Sequence, residues 1–174
     1  MTNQHPHAEW SGVMFGLLRE AGIKLFVHVP DAGNDRLIAL ADAQNDTSTL
    51  LLTAEEEGVA ICAGADLVGE RAVLCMQSSG VGNCPNYLSL AKGAHFPILM
   101  VVSMRGDYGE QNPWQYPMGE AVDGILQAMG VLVFKVERRD ELEQATKAAL
   151  GASGKGAQSA AIVLSQKFLG SKAF

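Results

Sequence analysis

The sequence predicts an α/β domain in which six strands form a mostly parallel sheet with helices on both faces. Three observations predict it. Short runs of aliphatic and β-branched residues alternate with segments whose apolar residues recur at helical spacing, the pattern of repeated βαβ units. Several strand runs, such as "STLLLT" and "FPILMVVSM", are apolar without interruption, which fits strands covered on both faces. The chain has 174 residues, 48% hydrophobic and 18% charged, and shows neither a repeat nor a linker, so residues 1–174 are expected to form a single domain with a substantial core.

The elements follow in order. "EWSGVMFGLLREAG" carries apolar residues at helical spacing and closes on glycine, a helix with its stop signal. "KLFVHVP" is a strand ended by Pro30, and "NDRLIALADAQ" is again helical. "STLLLT" reads as a buried parallel strand, with a helix from Ala54 onward. "RAVLCMQ" is the third strand, and "NCPNYLSLAKGAH" is a helix that tolerates Pro85 in its first turn. "FPILMVVSM" is the fourth strand, followed by a long irregular stretch up to Glu120. "AVDGILQAMG" predicts a helix, "VLVFKVE" a strand, and "DELEQATKAALGA" a helix opened by Asp140. The loop "SGKGAQ" and the strand "SAAIVLSQ" complete the pattern.

Composition excludes several classes. The formal net charge of −6 argues against a general nucleic-acid or anionic-membrane binder. The longest apolar run is too short to span a bilayer, and "MTNQHPHAEW" lacks the apolar centre of a secretion signal. His5 and His7 read as part of an unordered leader rather than as metal ligands. Three cysteines without CxxC spacing give neither a disulfide framework nor a zinc knuckle, so reduced thiols and a cytoplasmic location are expected.

In an open parallel sheet, ligands sit at the carboxyl ends of the strands. That rule singles out residues 30–34, 53–57, 77–83 and 105–119. At the second place, Glu55, Glu56 and Glu57 stand in a row. They admit two readings: a capping box with Thr53 as N-cap and Glu56 three residues on, or a catalytic acid desolvated at the head of a helix. The helix behind them, "GVAICAGADLVG", is small and apolar nearly all round and is expected to be buried on most sides. "QSSGVGNCP" follows a strand and opens a helix, where backbone N–H groups bind anions. Pro85 occupies the third glycine's place of a dinucleotide fingerprint, and no serine has the glycines of a nucleophile elbow. "GASGKGAQ" lacks Walker spacing and reads as a surface loop. Residues 105–119 form a connection long enough to be functional.

Four segments taken together carry a family resemblance: "VHVPDAGNDRL", "LLTAEEEGVAICAGADLVG", "LCMQSSGVGN" and "ILMVVSMRGDYGEQNPWQYPMG". In this order and spacing the chain resembles the pyrimidine-binding domain of thiamine-diphosphate-dependent enzymes over about residues 8–168. Within that group it is most similar to the alpha subunit of sulfopyruvate decarboxylase and to the matching half of phosphonopyruvate decarboxylase. The family's catalytic glutamate precedes an acidic residue or glutamine and then a glycine, which here is Glu56 before Glu57 and Gly58. The resemblance implies that Glu56 hydrogen-bonds N1′ of the cofactor's aminopyrimidine, while Glu55 and Glu57 are helix-start charges.

The resemblance further implies cofactor contacts at Pro30, Asp31, Gly80 and Asn83. It implies substrate contacts at Asn34, Arg105, Gln111 and Gln115, with a small anionic 2-oxo acid bearing a sulfonate or phosphonate as substrate. For Arg105 a salt bridge to Asp107 or Glu110 is the competing reading. The family's diphosphate- and Mg2+-binding motif, which opens Gly-Asp-Gly, is absent from the chain. No metal ligand is therefore expected here. A beta subunit should carry that motif, and the small-residue helix is a candidate for pairing with a second alpha chain. A non-catalytic nucleotide- or partner-binding module on the same fold is the alternative.

Overall fold

The structure, a computed structural model, describes residues 8–170. The leader with His5 and His7 lies outside the described residues. Six strands form one sheet: β1 Ile23–His28, β2 Ser48–Leu51, β3 Arg71–Gln77, β4 Leu99–Ser103, β5 Leu132–Val136 and β6 Ala160–Leu164. Their spatial order is β2-β1-β3-β4-β6-β5, and every neighbouring pair is parallel. The sheet is thus wholly parallel.

Alternation along the strands divides the core in two, because successive side chains leave a strand on opposite faces. Phe26, Val73, Cys75, Val101 and Ile162 face one side, where α1 Ala8–Glu20, α2 Asp35–Asp42 and α7 Leu142–Ser153 supply Met14, Leu18, Leu37 and Leu142. Val27, Leu74, Met76, Met100, Val102 and Val163 face the other. There α3 Glu55–Leu67, α5 Pro85–Ala94 and α6 Tyr116–Ala128 contribute Val59, Cys62, Leu88, Val122 and Leu126. β4 and β6 are buried along their whole length, as uninterrupted apolar runs require. The short helix α4 Ser78–Val81 follows β3 directly. Burial pushes the thiols of Cys62 and Cys84 up to about 12 and that of Cys75 in the same direction. All three cysteines are free.

Several expectations need correction. "STLLLT" is an edge strand, with Leu50 and Leu51 exposed and only Leu52 of its leucines buried within this chain. Helix α3 buries only the face of Glu55, Gly58, Val59 and Cys62, while Leu67 and Val68 are 72% and 76% exposed. Helix α6 begins at Tyr116 instead of Ala121, with Pro117 in its first turn, where the missing N–H costs no helical bond. Asp140 falls in a 3-10 turn, Arg139–Glu141, ahead of α7. The last strand stops at Leu164, and Ser165 caps a further short helix, α8 Gln166–Leu169, by accepting from Phe168 N. Among the described residues no helix is long and apolar enough to cross a membrane.

The segment after β4 crosses α6 at glycines. A Cβ on Gly119 would lie 2.4 Å from Arg105 O and 2.5 Å from Gly106 O, both backbone atoms that cannot yield cheaply. Gly124, later in the same helix, has nothing within 4 Å. Gly124→Ala should therefore stabilise the chain by about 1 kcal/mol through helix propensity. Gly119→Ala, the same change in the same helix, should destabilise it by about 1–3 kcal/mol through overpacking. Chemical denaturation of the two variants checks the opposite signs.

Candidate active site

All six strands point the same way, so the turns after β1, β3 and β4 and the start of α3 lie along one edge of the sheet. The three glutamates open α3, with Ala54 as N-cap and no side-chain cap. At roughly 100° per residue they leave the helix in three directions. Glu57 is exposed and turns back to Thr53, accepting from its backbone N at 3.0 Å and from its hydroxyl at 2.5 Å. Those bonds hold the Glu57 carboxyl below its usual range. The expected capping pair thus shifts by one residue, from Glu56 to Glu57, because the helix starts one residue later than a Thr53 cap requires.

Glu55 is buried and is not a plain helix-start charge. It accepts from Asn83 Nδ2 at 2.8 Å, and its stem lies against Gly80, where a Cβ would stand 2.4 Å from Glu55 Cγ. The pair locks the head of α3 against the turn after β3. Between these two committed neighbours stands Glu56. Its Oε2 is buried and has no hydrogen-bond partner among the described residues. A carboxylate oxygen withdrawn from water without a donor is costly, so the side chain is set to receive one.

The turns along the edge are tied together. Asp31 accepts from the Ser103 hydroxyl and, at 3.2 Å each, from the backbone N and side-chain Nδ2 of Asn34. The approach is close enough that a Cβ on Gly33 would stand 2.4 Å from Ser103 Cβ. The Ser78 hydroxyl lies 3.0 Å from Arg105 N and 3.1 Å from Arg105 O. Gln77 Nε2 donates to Ser79 at 2.9 Å and to Gln115 Oε1 at 3.4 Å.

The long connection after β4 is organised by one buried carboxylate. Arg105 grips Glu110 with two bonds, Nε to Oε2 at 2.6 Å and an Nη to Oε1 at 2.7 Å. Glu110 also accepts from the backbone N of Gly106, Gln111 and Asn112 and from Gln166 Nε2. The Arg105 guanidinium, ahead of the other donors, holds the Glu110 carboxyl far below the usual carboxylate range. Gln166 Oε1 accepts from the backbone N of Asp107 and Tyr108, which fastens α8 to the connection. Tyr116 OH donates to Glu110 O at 2.6 Å.

The residues singled out from sequence are all on this edge. Pro30 is exposed beside Asp31. Gly80 and Asn83 hold Glu55. Asn34 has its amide donors directed at Asp31 and Met76 O, and its Oδ1 is buried with no hydrogen-bond partner among the described residues. The Arg105 fork is engaged by Glu110, the competing reading. Gln111 is exposed, and Gln115 meets Gln77. Sequence reasoning missed Ser103, Ser78, Gln166 and the structural weight of Glu55. Only Ser78 carried a signal, its place directly after β3. Among the described residues no three His, Cys, Asp or Glu side chains converge to hold a metal.

The fold is an α/β protein with a wholly parallel six-stranded sheet and a carboxylate-bearing helix head after β2. Consistent with that, the structure matches the 2-oxoglutarate:ferredoxin oxidoreductase of Magnetococcus marinus with a TM-score of 0.67 at 16% identity, covering 92% of this chain and 29% of that one. No protein-family profile matches the chain. The sulfopyruvate decarboxylase subunit alpha of Methanocaldococcus jannaschii is 34% identical over 129 residues, 74% of this chain and 76% of the relative. The subunit of the same name from Methanothermobacter thermautotrophicus is 37% identical over 122 residues, 70% and 74% of the two chains. Phosphonopyruvate decarboxylase of Streptomyces viridochromogenes is 33% identical over 107 residues, 60% of this chain and 27% of that one. The chain belongs to the sulfopyruvate decarboxylase alpha-subunit family.

The Glu110 hub has a pH signature. Its folded-state pKa is depressed, so its stabilisation is complete above the ordinary value of 4.5 and is lost as pH falls below it. Removing one member of a buried pair costs about 3–5 kcal/mol. Glu110→Gln should therefore be destabilised by that order at neutral pH, with the gap to the parent narrowing from about pH 5 down to pH 3. A gap independent of pH, measured by urea unfolding, would contradict the assignment.

Proposed function

We propose that this chain is the pyrimidine-binding half of a two-chain, thiamine-diphosphate-dependent decarboxylase that converts 3-sulfopyruvate to sulfoacetaldehyde and CO2. The observation that carries the proposal is the Glu56 carboxylate, in a chain of this family. One of its oxygens is buried, lacks a donor and stands at the ligand-bearing edge. An aminopyrimidine nitrogen bearing a proton is the group such an oxygen fits. Thiamine diphosphate, when bound, supplies a carbanion nucleophile and an electron sink for the departing CO2.

In this reading Glu56 holds a proton at N1′ of the ring, while Gly80 and Asn83 form its wall by way of Glu55. Asp31, fixed by Ser103 and Asn34, stands beside Pro30 at the end of β1 as a further polar contact. Gln111 and Gln115 offer neutral amides to the substrate. Arg105 acts as a positioning residue, through Glu110, for the segment that carries those amides. The cation that meets the sulfonate is then assigned to the partner chain. That beta subunit would also bring Gly-Asp-Gly, the diphosphate site and Mg2+. The exposed apolar end of α3, Leu67 with its cap Val68, and its neighbour α5, with Tyr87 and Leu90, suit pairing with a second alpha chain in an α2β2 complex of the cytoplasm. Phosphonopyruvate is the second substrate to assay, given the shorter match to its decarboxylase.

Two outcomes are expected. In the complex with its beta subunit, Glu56→Gln should keep the fold and lose about 100-fold or more of CO2 release from sulfopyruvate, because an amide cannot exchange the proton. Glu57→Gln should lower stability only slightly and spare turnover. Near-normal turnover of Glu56→Gln would refute the role. Calorimetry should show poor binding of thiamine diphosphate to the isolated chain and Mg2+-dependent binding once the beta subunit is added. Tight binding to the chain alone would refute the division of the site.

A further inference from the structure

The connection after β4 turns its aromatic rings to solvent. Trp114 is 86% exposed, Tyr108 60% and Tyr116 40%, with Pro113 and Pro117 exposed beside them. Between Asp107 and Glu120 the only charged residue is Glu110, and it is buried. The outer surface of residues 108–119 is therefore aromatic and uncharged. Tyrosine and tryptophan enriched where charge is depleted is the composition found at the centre of protein interfaces.

A ring on a mobile loop would lose much of its binding energy in being ordered. These rings are held before any partner arrives. Asn112 Oδ1 accepts from Trp114 N at 3.1 Å, and Pro113 opens the 3-10 turn that carries the indole. Tyr116 OH donates to Glu110 O at 2.6 Å. The turn is packed so closely on the start of the connection that a Cβ on Gly106 would stand 2.1 Å from Gln115 O. The patch is also continuous with the ligand-bearing edge. Gln115, next to Trp114, meets Gln77 at the end of β3, and Gly80, three residues on, lies against Glu55. The residues assigned above to a second alpha chain are elsewhere: α3 runs away from this edge, so Leu67 and Val68 stand at its far end.

We propose that Trp114, flanked by Tyr108 and Tyr116, is the anchor by which this chain docks the beta subunit that completes its site. The indole enters an apolar slot on that subunit, which ends on an acceptor for the indole N–H. A large, rigid, central ring of this kind carries a disproportionate share of the affinity of an interface. The proposal rests on the two-chain reading above and adds to it the surface that joins the chains.

The test uses the full chain labelled with 5-fluorotryptophan, which gives two 19F resonances, from buried Trp10 and exposed Trp114. Unlabelled beta subunit should shift the Trp114 line and remove its H2O/D2O isotope shift, leaving the Trp10 line in place. Trp114→Ala, at an exposed position, should unfold at the same urea concentration as the parent and bind the beta subunit about thirtyfold more weakly or worse, as expected of a hot-spot truncation. Trp114→Phe should recover part of the loss. Val13→Ala, at another exposed apolar position, on α1, should bind like the parent. The proposal is overturned if Trp114→Ala binds with parent affinity, if the Trp114 line keeps its isotope shift in the complex, or if the parent chains form no complex. It is equally overturned if thiamine diphosphate alone moves that line, or if the substitution instead breaks an association of alpha chains without the beta subunit. Assembly through Trp114 without CO2 release from sulfopyruvate would defeat the decarboxylase reading and leave the anchor standing.

Discussion

Everything at the ligand-bearing edge depends on the six strands running parallel. A parallel pair cannot be joined by a tight hairpin, so each strand returns through a helix and starts again from the opposite edge. The consequence is that the turns after β1, β3 and β4 and the head of α3, far apart in sequence, are delivered to one line. The two apolar faces that make this possible come from the period-two alternation of strands whose both sides are covered.

Delivery to one line does not set side chains against each other, and a few hydrogen bonds do that. Ser103 and Asn34 draw Asp31 against β4, Ser78 holds the backbone of Arg105, and Asn83 with Gly80 holds Glu55. The heaviest constraint is the Arg105–Glu110 pair. Both charges are withdrawn from water, which is tolerable only because Glu110 also accepts backbone donors and Gln166 Nε2. A connection that looks irregular is thereby held on a single carboxylate. Its aromatic side chains are left outward, with Trp114 86% exposed.

The three glutamates show how one local sequence is divided by its surroundings. Identical side chains in consecutive positions meet three different surroundings. Glu57 finds Thr53, Glu55 finds Asn83, and Glu56 Oε2 finds no donor. The same contrast applies to charge. The Arg105 guanidinium is engaged by Glu110, whereas Arg36 Nε, in the first turn of α2, is buried with no hydrogen-bond partner among the described residues.

The alternation of strand and helix, the parallel sheet and the place of Glu56 after the second strand were legible in the residues, because hydrophobic period and strand-to-helix turns are local properties. Glu57 could not be told from Glu56 as the capping residue, since a shift of one residue at the helix start decides it and both sequences fit a box. Tertiary structure alone decided that β2 is an edge, that α3 buries one face, and that Arg105 faces Glu110. Burial of a helix depends on what lies across the sheet, and an ion pair depends on how a loop closes. Neither is encoded by spacing. The orphaned oxygens of Glu56 and Asn34 were invisible for the same reason: a missing partner is a property of the packed molecule.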